Sequence, residues 1–353
     1  MKSLSKKDQV LQLTAAVLLF LLAGAVGACA QKPAADSGML SLRNGGTVED
    51  WSSLSLVGSD LHAEKPILGA KDVSPEFTRE LFQVQWRQGD PIDLYLIRPK
   101  GVAKPPVIIY LYSYPSETDR FRDDDYCARL AQDGFAAVGF VSALTGHRYA
   151  MRPMKEWFVS ELQEALGSSV HDVQMVLNYL SQRDDLDLSR VGMFGTGSGA
   201  TIAILAAAAD ARIKAIDLLE PWGDWPDWMA KSSLIPEDER PKYLQAEFLK
   251  KVAPLDPVQW LPQLKSQRIR IQNVADDTVT PKIVQERIES VAPIAAKVQR
   301  FEDGQRFYAT ASGGRIFQWV KDQLQPAPQA QSTAQTSQTS SSTTRTVEPG
   351  HDD

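Results

Sequence analysis

Apolar runs alternate with amphipathic stretches along most of this chain. The run 106–112 is almost entirely apolar, which indicates a strand buried on both faces. The stretch 160–182 instead carries apolar residues at helical spacing, from Leu162 to Leu180. The pattern therefore predicts an α/β fold, with a mostly parallel, doubly wound sheet flanked by helices.

The other predicted elements follow the same alternation. Two antiparallel strands, 78–86 and 92–99, flank a turn at Gly89 and Asp90 and precede the apolar strand. Later strands are predicted at 135–141, 190–194, 213–219, 269–273 and 297–301, and further helices at 124–132, 201–209, 282–291 and 314–324.

The segment 220–264 leaves this alternation, and we predict a lid or cap there. It carries Trp222, Trp225 and Trp228 among prolines and aspartates. Crowded indoles can form an aromatic wall for a sugar or an apolar group, and on this basis we assign Trp222 and Trp225 to ligand binding. Packing beneath the lid is the commoner outcome for such residues and is the alternative.

A glycine-rich turn joins a predicted strand to an alanine-rich helix. Residues 191–200 read VGMFGTGSGA. This run resembles the strand-to-helix elbow of the α/β-hydrolases, G-x-S-x-G, whose central residue is the nucleophile. In that register Gly195 and Gly199 are the flanking glycines, and Gly197 stands at the nucleophile position. The resemblance extends over most of 78–324 and implies an α/β-hydrolase fold.

A second register centres the elbow on Ser198, with Thr196 and Ala200 in place of the flanking glycines. It puts a β-branched side chain in the tightest part of the turn and gives no reason for Gly195 and Gly199. We favour Gly197 at the nucleophile position and keep Ser198 as the alternative.

Two later segments resemble the loops that carry the other triad residues in dienelactone-hydrolase-like members of this superfamily. In 268–281 Asp276 fills the acid position, and in 303–312 Gln305 stands where the histidine is expected. The order of elbow, acid and histidine loop is that of the family. Asp276 either accepts a hydrogen bond from the Gln305 amide or faces solvent.

These substitutions remove the reagents for acyl transfer. Glycine has no oxygen to attack a carbonyl, and a glutamine amide cannot take up a proton at neutral pH. The N–H groups at the start of the helix, including that of Ser198, still favour a carbonyl oxygen or an anion. We therefore assign Ser198 to ligand binding, together with Tyr112 and Ser113 at the end of the apolar strand.

An active ester hydrolase is the alternative function. Ser198 would then be a shifted nucleophile, and His147, in the loop after the predicted strand 135–141, would be its base. His171 lies within the predicted helix 160–182, and we assign it a structural role.

Composition narrows the classes of molecule that this protein is expected to bind. The chain has 353 residues, a net charge of −6 and two cysteines. It is long enough for one large domain, has no basic run for nucleic acid, and lacks the cysteines for a disulfide framework. We predict no cofactor and no metal, and a small ester, carboxylate or sugar-like ligand.

The N-terminus predicts export. Lysines 2, 6 and 7 precede an apolar stretch, 13–26, as in a secretory signal. The following Val-Gly-Ala-Cys resembles a bacterial lipobox, which implies lipid on Cys29 and attachment to the periplasmic side of a membrane. Cleavage after Ala30, giving a soluble periplasmic or secreted protein, and an uncleaved anchor helix are the alternatives.

The predicted organisation is therefore a signal peptide at 1–28, a flexible tether at 29–50, an α/β-hydrolase-like domain at 51–325 with its lid at about 220–264, and a disordered tail at 326–353 that is rich in Pro, Gln, Ser and Thr. The predicted function is a catalytically inactive, lipid-anchored binding protein that uses the former hydrolase pocket.

Overall fold

Strands and helices alternate through the part of the chain that the computed structural model describes, which is residues 49–63, 65–87, 90–115, 118–144, 158–264, 267–312 and 315–326. The strands are β1 (Ile67–Val73), β2 (Phe77–Val84), β3 (Ile92–Pro99), β4 (Pro106–Leu111), β5 (Ala136–Phe140), β6 (Asp187–Thr196), β7 (Ile213–Leu219), β8 (Arg268–Val274) and β9 (Lys297–Phe301). The helices are α1 (Asp124–Ala131), α2 (Leu162–Leu180), α3 (Ser198–Ala209), α4 (Trp225–Lys231), α5 (Arg240–Tyr243), α6 (Ala246–Val252), α7 (Pro257–Trp260), α8 (Lys282–Val291), α9 (Gly304–Ser312) and α10 (Gln318–Gln323).

All nine strands form one sheet, in the order β1-β2-β3-β5-β4-β6-β7-β8-β9. The pairs that join β1 to β2, β2 to β3 and β3 to β5 are antiparallel, and the remaining five pairs are parallel. The carboxyl ends of the parallel strands therefore lie along one edge, which is where ligands bind in open α/β sheets. The predicted α/β class with a mostly parallel sheet is confirmed.

The strand predictions agree closely with the observed bounds. β3, β7 and β9 begin and end at the predicted residues. β1 was not predicted, because all seven of its residues are exposed and its sequence, ILGAKDV, lacks the regular alternation of a half-buried strand. It pairs with β2 at the edge of the sheet.

The helix predictions were less accurate at the C-terminal end. The predicted helix 314–324 is a short 3₁₀ turn, Arg315–Phe317, followed by α10. Helix α9 was not predicted, because the resemblance to a histidine loop led us to treat 303–312 as a loop. The segment 220–264 holds four short helices, α4 to α7. Its role as a lid stays a prediction.

Residues of β4 contribute to the core on both sides of the sheet, as the apolar run predicted. Val107, Ile109 and Leu111 pack in the larger cluster, which also contains the buried faces of α2 and α3. Ile108 and Tyr110 point to the opposite side, into the smaller cluster with α1 and α10. Side chains alternate across a strand, so one continuous apolar run fills two cores.

Several predicted segments lie outside the described residues. They include the signal segment 1–28 with most of the tether, Cys29, and residues 327–353 of the predicted tail. No helix within the described ranges is long and apolar enough to cross a membrane.

The first described residues pack against α2 through a buried ionic network. The Glu49 carboxylate accepts hydrogen bonds from Arg87 at 2.6 and 2.7 Å and lies 2.6 Å from His171 Nδ1. Arg87 also forms an ion pair with Asp172 on α2, and His171 Nε2 lies 2.9 Å from the Ser53 carbonyl oxygen. Glu49, assigned to the tether from sequence, is therefore part of the packed domain.

The network sets the ionisation of Glu49. Burial by itself raises the pKa of this carboxyl, but the hydrogen bonds from His171 and Arg87 and their charges outweigh it and lower the pKa from 4.5 to about 2. Because the folded-state pKa lies below the ordinary value, the resulting stabilisation is present above about pH 4.5 and is lost as the pH falls towards 2.

We expect Glu49→Gln to lower the free energy of unfolding at pH 7 by about 2–4 kcal/mol, because Arg87 and His171 each lose a buried partner. Urea unfolding at pH 7 and at pH 3 measures this, and the gap between variant and parent should shrink at pH 3. Glu247→Gln, at an exposed position of α6, is the matched control and should behave as the parent. An equal gap at both pH values would show that the ionised carboxylate is not the stabilising group.

Candidate functional site

Gly197 forms the turn between β6 and α3. Its backbone has φ 51° and ψ −118°, and Ser198 is the first residue of the helix. Residues with a Cβ are strained at these angles, whereas glycine adopts them readily. The structure therefore places Gly197 at the apex of the elbow and Ser198 one residue beyond it.

The neighbouring glycines explain why this turn is so tight. A Cβ at Gly195 would lie 2.6 Å from the backbone N and Cα of Ala200, at the start of α3. A Cβ at Gly199 would lie 2.5 Å from the Leu111 carbonyl carbon, at the end of β4. Both distances are too short for real atoms, so α3 can approach β4 and β6 only because both positions lack a side chain.

Ser113 and Trp222 occupy the space above the apex. A Cβ at position 197 would lie 2.9 Å from Ser113 Cβ and 3.2 Å from Trp222 Nε1, and it would collide with the Ser113 hydroxyl oxygen. A side chain at the apex would have to displace both neighbours. The turn is thus packed around a glycine.

The Ser198 side chain is buried at the start of α3. Its hydroxyl oxygen accepts a 3.0 Å hydrogen bond from the Tyr114 N–H, and the Ser113 N–H donates to Thr196 Oγ1 at 2.9 Å. These two bonds hold the loop after β4 against the elbow. The Ser198 hydroxyl oxygen is therefore already hydrogen-bonded to the backbone.

Asp276 and Gln305 lie after β8 and β9, at the same sheet edge as the elbow. Asp276 is exposed in the turn after β8, and Gln305 is exposed on α9. In the described chain they form no hydrogen bond with each other. Both side chains are exposed, so the arrangement matches the alternative in which Asp276 faces solvent.

The sequence analysis missed a carboxyl pair beside the acid loop. Glu220, directly after β7, has a φ of 50° and accepts a hydrogen bond from the Val274 N–H. Burial, and next the charge of Asp277, raise the pKa of Glu220 to about 9. It is therefore neutral at pH 7. The sequence did contain a signal for Glu220, because it is an acidic residue directly after an apolar strand. Parallel strands end at one edge of the sheet, which is where ligands bind.

Three tryptophans of the 220–264 segment pack together in the core. Trp222 stacks on Trp228 with ring centroids 5.1 Å apart, and Trp225 meets Trp228 edge to face at 5.8 Å. All three are buried. The assignment of Trp222 and Trp225 to an aromatic wall for a ligand is corrected accordingly, because their faces are covered by each other and by the core.

A cavity of about 1050 Å³ adjoins the elbow at the carboxyl edge of the sheet. Tyr112 and Ser113 line it from the loop after β4, and Thr196 lines it from the residue before the apex. Phe307 and Tyr308 of α9 line another part of the wall. The cavity thus includes two of the predicted ligand-binding residues, whereas Ser198, Trp222 and Trp225 are absent from its lining.

The hydroxyl groups of Tyr112 and Tyr126 are hydrogen-bonded to each other in the cavity wall. Burial raises the pKa of Tyr112 well above its usual range, so this phenol stays neutral at physiological pH. These two phenols therefore contribute neutral hydroxyl groups to the wall.

No described imidazole hydrogen-bonds to Ser198. His171 is buried against Glu49, and His62 Nδ1 lies 2.9 Å from the Asp60 carbonyl oxygen. His147 lies outside the described residues. Within the ranges that the structure covers, no group of three or more His, Cys, Asp or Glu residues is arranged to hold a metal ion.

Comparison with known families identifies the family of this chain. The family model of the X-Pro dipeptidyl-peptidases (S15 family) matches residues 88–290, more than half of the chain. The chain belongs to this family. The match includes the elbow at Gly197 and the acid loop at Asp276, and it ends before Gln305. Comparison with curated proteins gives no significant match.

Solved structures share the fold at low sequence identity. An acetyl xylan esterase from Paenibacillus sp. R4 is 16% identical, with a TM-score of 0.59, over 77% of this chain and 92% of that chain. Acetyl xylan esterase 1 from Thermoanaerobacterium sp. JW/SL YS485 is also 16% identical, with a TM-score of 0.54, over 71% of this chain and 86% of that chain.

A larger protein gives a similar result. The acylaminoacyl peptidase of Pyrococcus horikoshii is 12% identical, with a TM-score of 0.53, over 76% of this chain and 51% of that chain. At these identities the likeness concerns the fold alone. With the family match, it confirms the α/β-hydrolase superfamily.

We expect Gly199→Ala to destabilise the domain by about 3 kcal/mol or more, because its Cβ would meet the Leu111 backbone, which cannot move aside cheaply. Thermal and urea unfolding measure the loss. Gly304→Ala is the matched control, since a Cβ there meets no atom within 4 Å and alanine favours a helix. Equal stability of the two variants would contradict the close approach of α3 to β4.

Proposed function

We propose that this member of the S15 family binds a ligand at its former hydrolase site and does not carry out acyl transfer. The observation that carries the proposal is the apex at Gly197. It has no nucleophilic atom, and Ser113 and Trp222 fill the space that a nucleophile's side chain would occupy. Without an attacking atom, serine-hydrolase chemistry cannot begin.

The position of Gln305 supports the same proposal. It stands where the resemblance places the histidine, it is exposed on α9, and an amide cannot serve as a base at neutral pH. Both positions support the same proposal, since loss of the nucleophile or loss of the base would by itself stop acyl transfer.

Binding chemistry remains at the elbow. Ser198 and Gly199 are the first residues of the twelve-residue helix α3, where N–H groups have no partner within the helix. Such a helix end attracts a carbonyl oxygen or an anion. The Ser113 hydroxyl lies over the same turn, and Ser113 is one of the residues that line the cavity. These groups suit a small ester, carboxylate or sugar-like ligand.

The active-hydrolase alternative would use Ser198 with His147. The buried Ser198 hydroxyl, which accepts from Tyr114, would first have to leave that bond and turn towards the cavity. This rearrangement is the reason we rank the alternative second.

We also propose that the protein is exported and carries lipid on Cys29, with the domain on the periplasmic side of a bacterial membrane. The basic start, the apolar stretch and the small residues before Cys29 support this part of the proposal.

A fluorophosphonate probe tests for a reactive serine. We expect no covalent labelling of the purified protein and no turnover of p-nitrophenyl acetate above the rate of a heat-unfolded sample, because the apex has no hydroxyl. Gly197→Ser should also stay unlabelled, since its side chain would collide with Ser113.

The comparison variants for this test are Ser198→Ala and Ser113→Ala, with an active serine esterase as the positive control. Stoichiometric labelling of the parent that disappears in Ser198→Ala would overturn the non-catalytic function. Labelling that disappears in Ser113→Ala would overturn it as well and would identify a different nucleophile.

Lipid attachment is tested by metabolic labelling with an alkyne analogue of palmitate in a bacterial host. We expect the parent to be labelled and recovered with membranes, and Cys29→Ser to be unlabelled, because the thiol is the site of attachment. Cys127→Ser is the matched control and should be labelled as the parent, since Cys127 is buried in the domain. Equal labelling of parent and Cys29→Ser would exclude this site.

A further inference from the structure

The interior of the cavity beside the elbow is aromatic. Phe194, Tyr126 and Phe317 line its inner part, where each ring is at most 9% exposed and Phe194 meets Phe317 edge to face at 5.0 Å. Phe307 and Tyr308 of α9 are the more accessible aromatic residues of the wall. Tyr308, on the wall formed by α9, has 70% of its surface exposed and marks the opening. At about 1050 Å³ the volume is enough for a small ring system.

Two guanidinium groups stand at the opening. Arg120 lies 5.2 Å from the centroid of the Tyr112 ring and 5.9 Å from that of Tyr126. Arg129 lies 5.6 Å from the Tyr126 ring centroid. Both arginines are exposed and line the cavity. The rings position the two cations by cation–π contact, which leaves their positive charge uncompensated.

The carboxylates of this region have other partners. Asp123 lines the cavity and accepts the Tyr126 N–H as the cap of α1. Asp133 also lines the cavity and faces Lys321 Nζ at 3.5 Å. In the described part of the chain, neither Arg120 nor Arg129 forms an ion pair, although Asp125 lies four residues before Arg129 on α1.

Lys321 has a structural role in the cavity wall. Its side chain is almost fully buried, and its Nζ donates a 2.7 Å hydrogen bond to the Gln132 carbonyl oxygen, just beyond the end of α1. Burial lowers the pKa of this lysine, although Asp133 opposes the shift. The lysine therefore ties α10 to α1, and the cations left for a ligand are those of Arg120 and Arg129.

From this arrangement we infer that the cavity binds a small organic anion, an aromatic ring that carries a carboxylate, with the ring against Phe307 and Tyr308 of the α9 wall and the carboxylate at Arg120 and Arg129. A guanidinium group pairs well with a carboxylate, and an aromatic cavity takes up an apolar ring. The inference names the ligand class of the proposed binding function and rests on it.

The test compares two probes of one shape. 2-Naphthoate carries the carboxylate, and 2-naphthamide has the same ring system without charge. We expect 2-naphthoate to bind the full chain at least tenfold more tightly in isothermal titration calorimetry at 50 mM salt. In the Arg120→Gln/Arg129→Gln variant this preference should fall by roughly tenfold, with little change for 2-naphthamide, because charge-assisted hydrogen bonds are lost.

Two further variants separate charge from ring contact. Arg122→Gln removes an exposed arginine from the same region that does not line the cavity, and it should leave 2-naphthoate affinity within about twofold of the parent. Tyr308→Ala removes an exposed wall residue and should weaken both probes by a similar factor. All four positions are exposed, so the variants should fold as the parent.

Equal affinity for the two probes would overturn the inference, and so would an unchanged preference in the double arginine variant. Absence of binding for both probes, in a protein that the fluorophosphonate does not label, would overturn the ligand class and leave the non-catalytic function standing. Arginine-dependent binding in a protein that is labelled would support the ligand class and overturn the non-catalytic function.

Discussion

The close approach of helix α3 to strands β4 and β6 is the constraint on which the site depends. A Cβ at Gly195 or Gly199 would enter the space of backbone atoms in Ala200 or Leu111, so both positions must be glycine for the helix to pack there. This contact fixes the turn, and the turn fixes residue 197 at its apex. The register of the elbow is thus decided by backbone sterics and does not depend on which catalytic residues are present.

The same constraint accounts for the packing around the apex of the elbow. Because Gly197 has no side chain, Ser113 and Trp222 close over the turn, and the Ser198 hydroxyl binds the backbone of the loop that carries Ser113. The apex, its cover and the supporting loop form one packed unit. A serine side chain at position 197 would therefore meet an occupied space.

Electrostatics organise the regions around this unit in two different ways. At the N-terminal segment, Glu49 is matched by Arg87 and His171, and the ionic groups stabilise packing against α2. At the cavity, Arg120 and Arg129 rest on aromatic rings, and among the described residues neither has an acidic partner in an ion pair. Buried charges need partners, whereas exposed cations on aromatic rings can remain available to a ligand. The ionic network at Glu49 stabilises the fold, and the arginines at the cavity support the proposed ligand class.

The sequence by itself determined the α/β class, most strand bounds and the glycine register, because apolar periodicity and the steric demand for glycine are local properties of the chain. It did not reveal β1, whose residues are all exposed, or α9, on which Gln305 is exposed. Only the tertiary structure decided that Trp222, Trp225 and Trp228 pack together, that Glu220 meets Asp277, and that Arg120 and Arg129 converge on Tyr126. Glu220 and Asp277 are far apart in the sequence, and only the pairing of β7 with β8 brings them together. The tryptophans, and the arginines with Tyr126, are close in sequence, but their burial or exposure depends on how their segments pack against the rest of the domain.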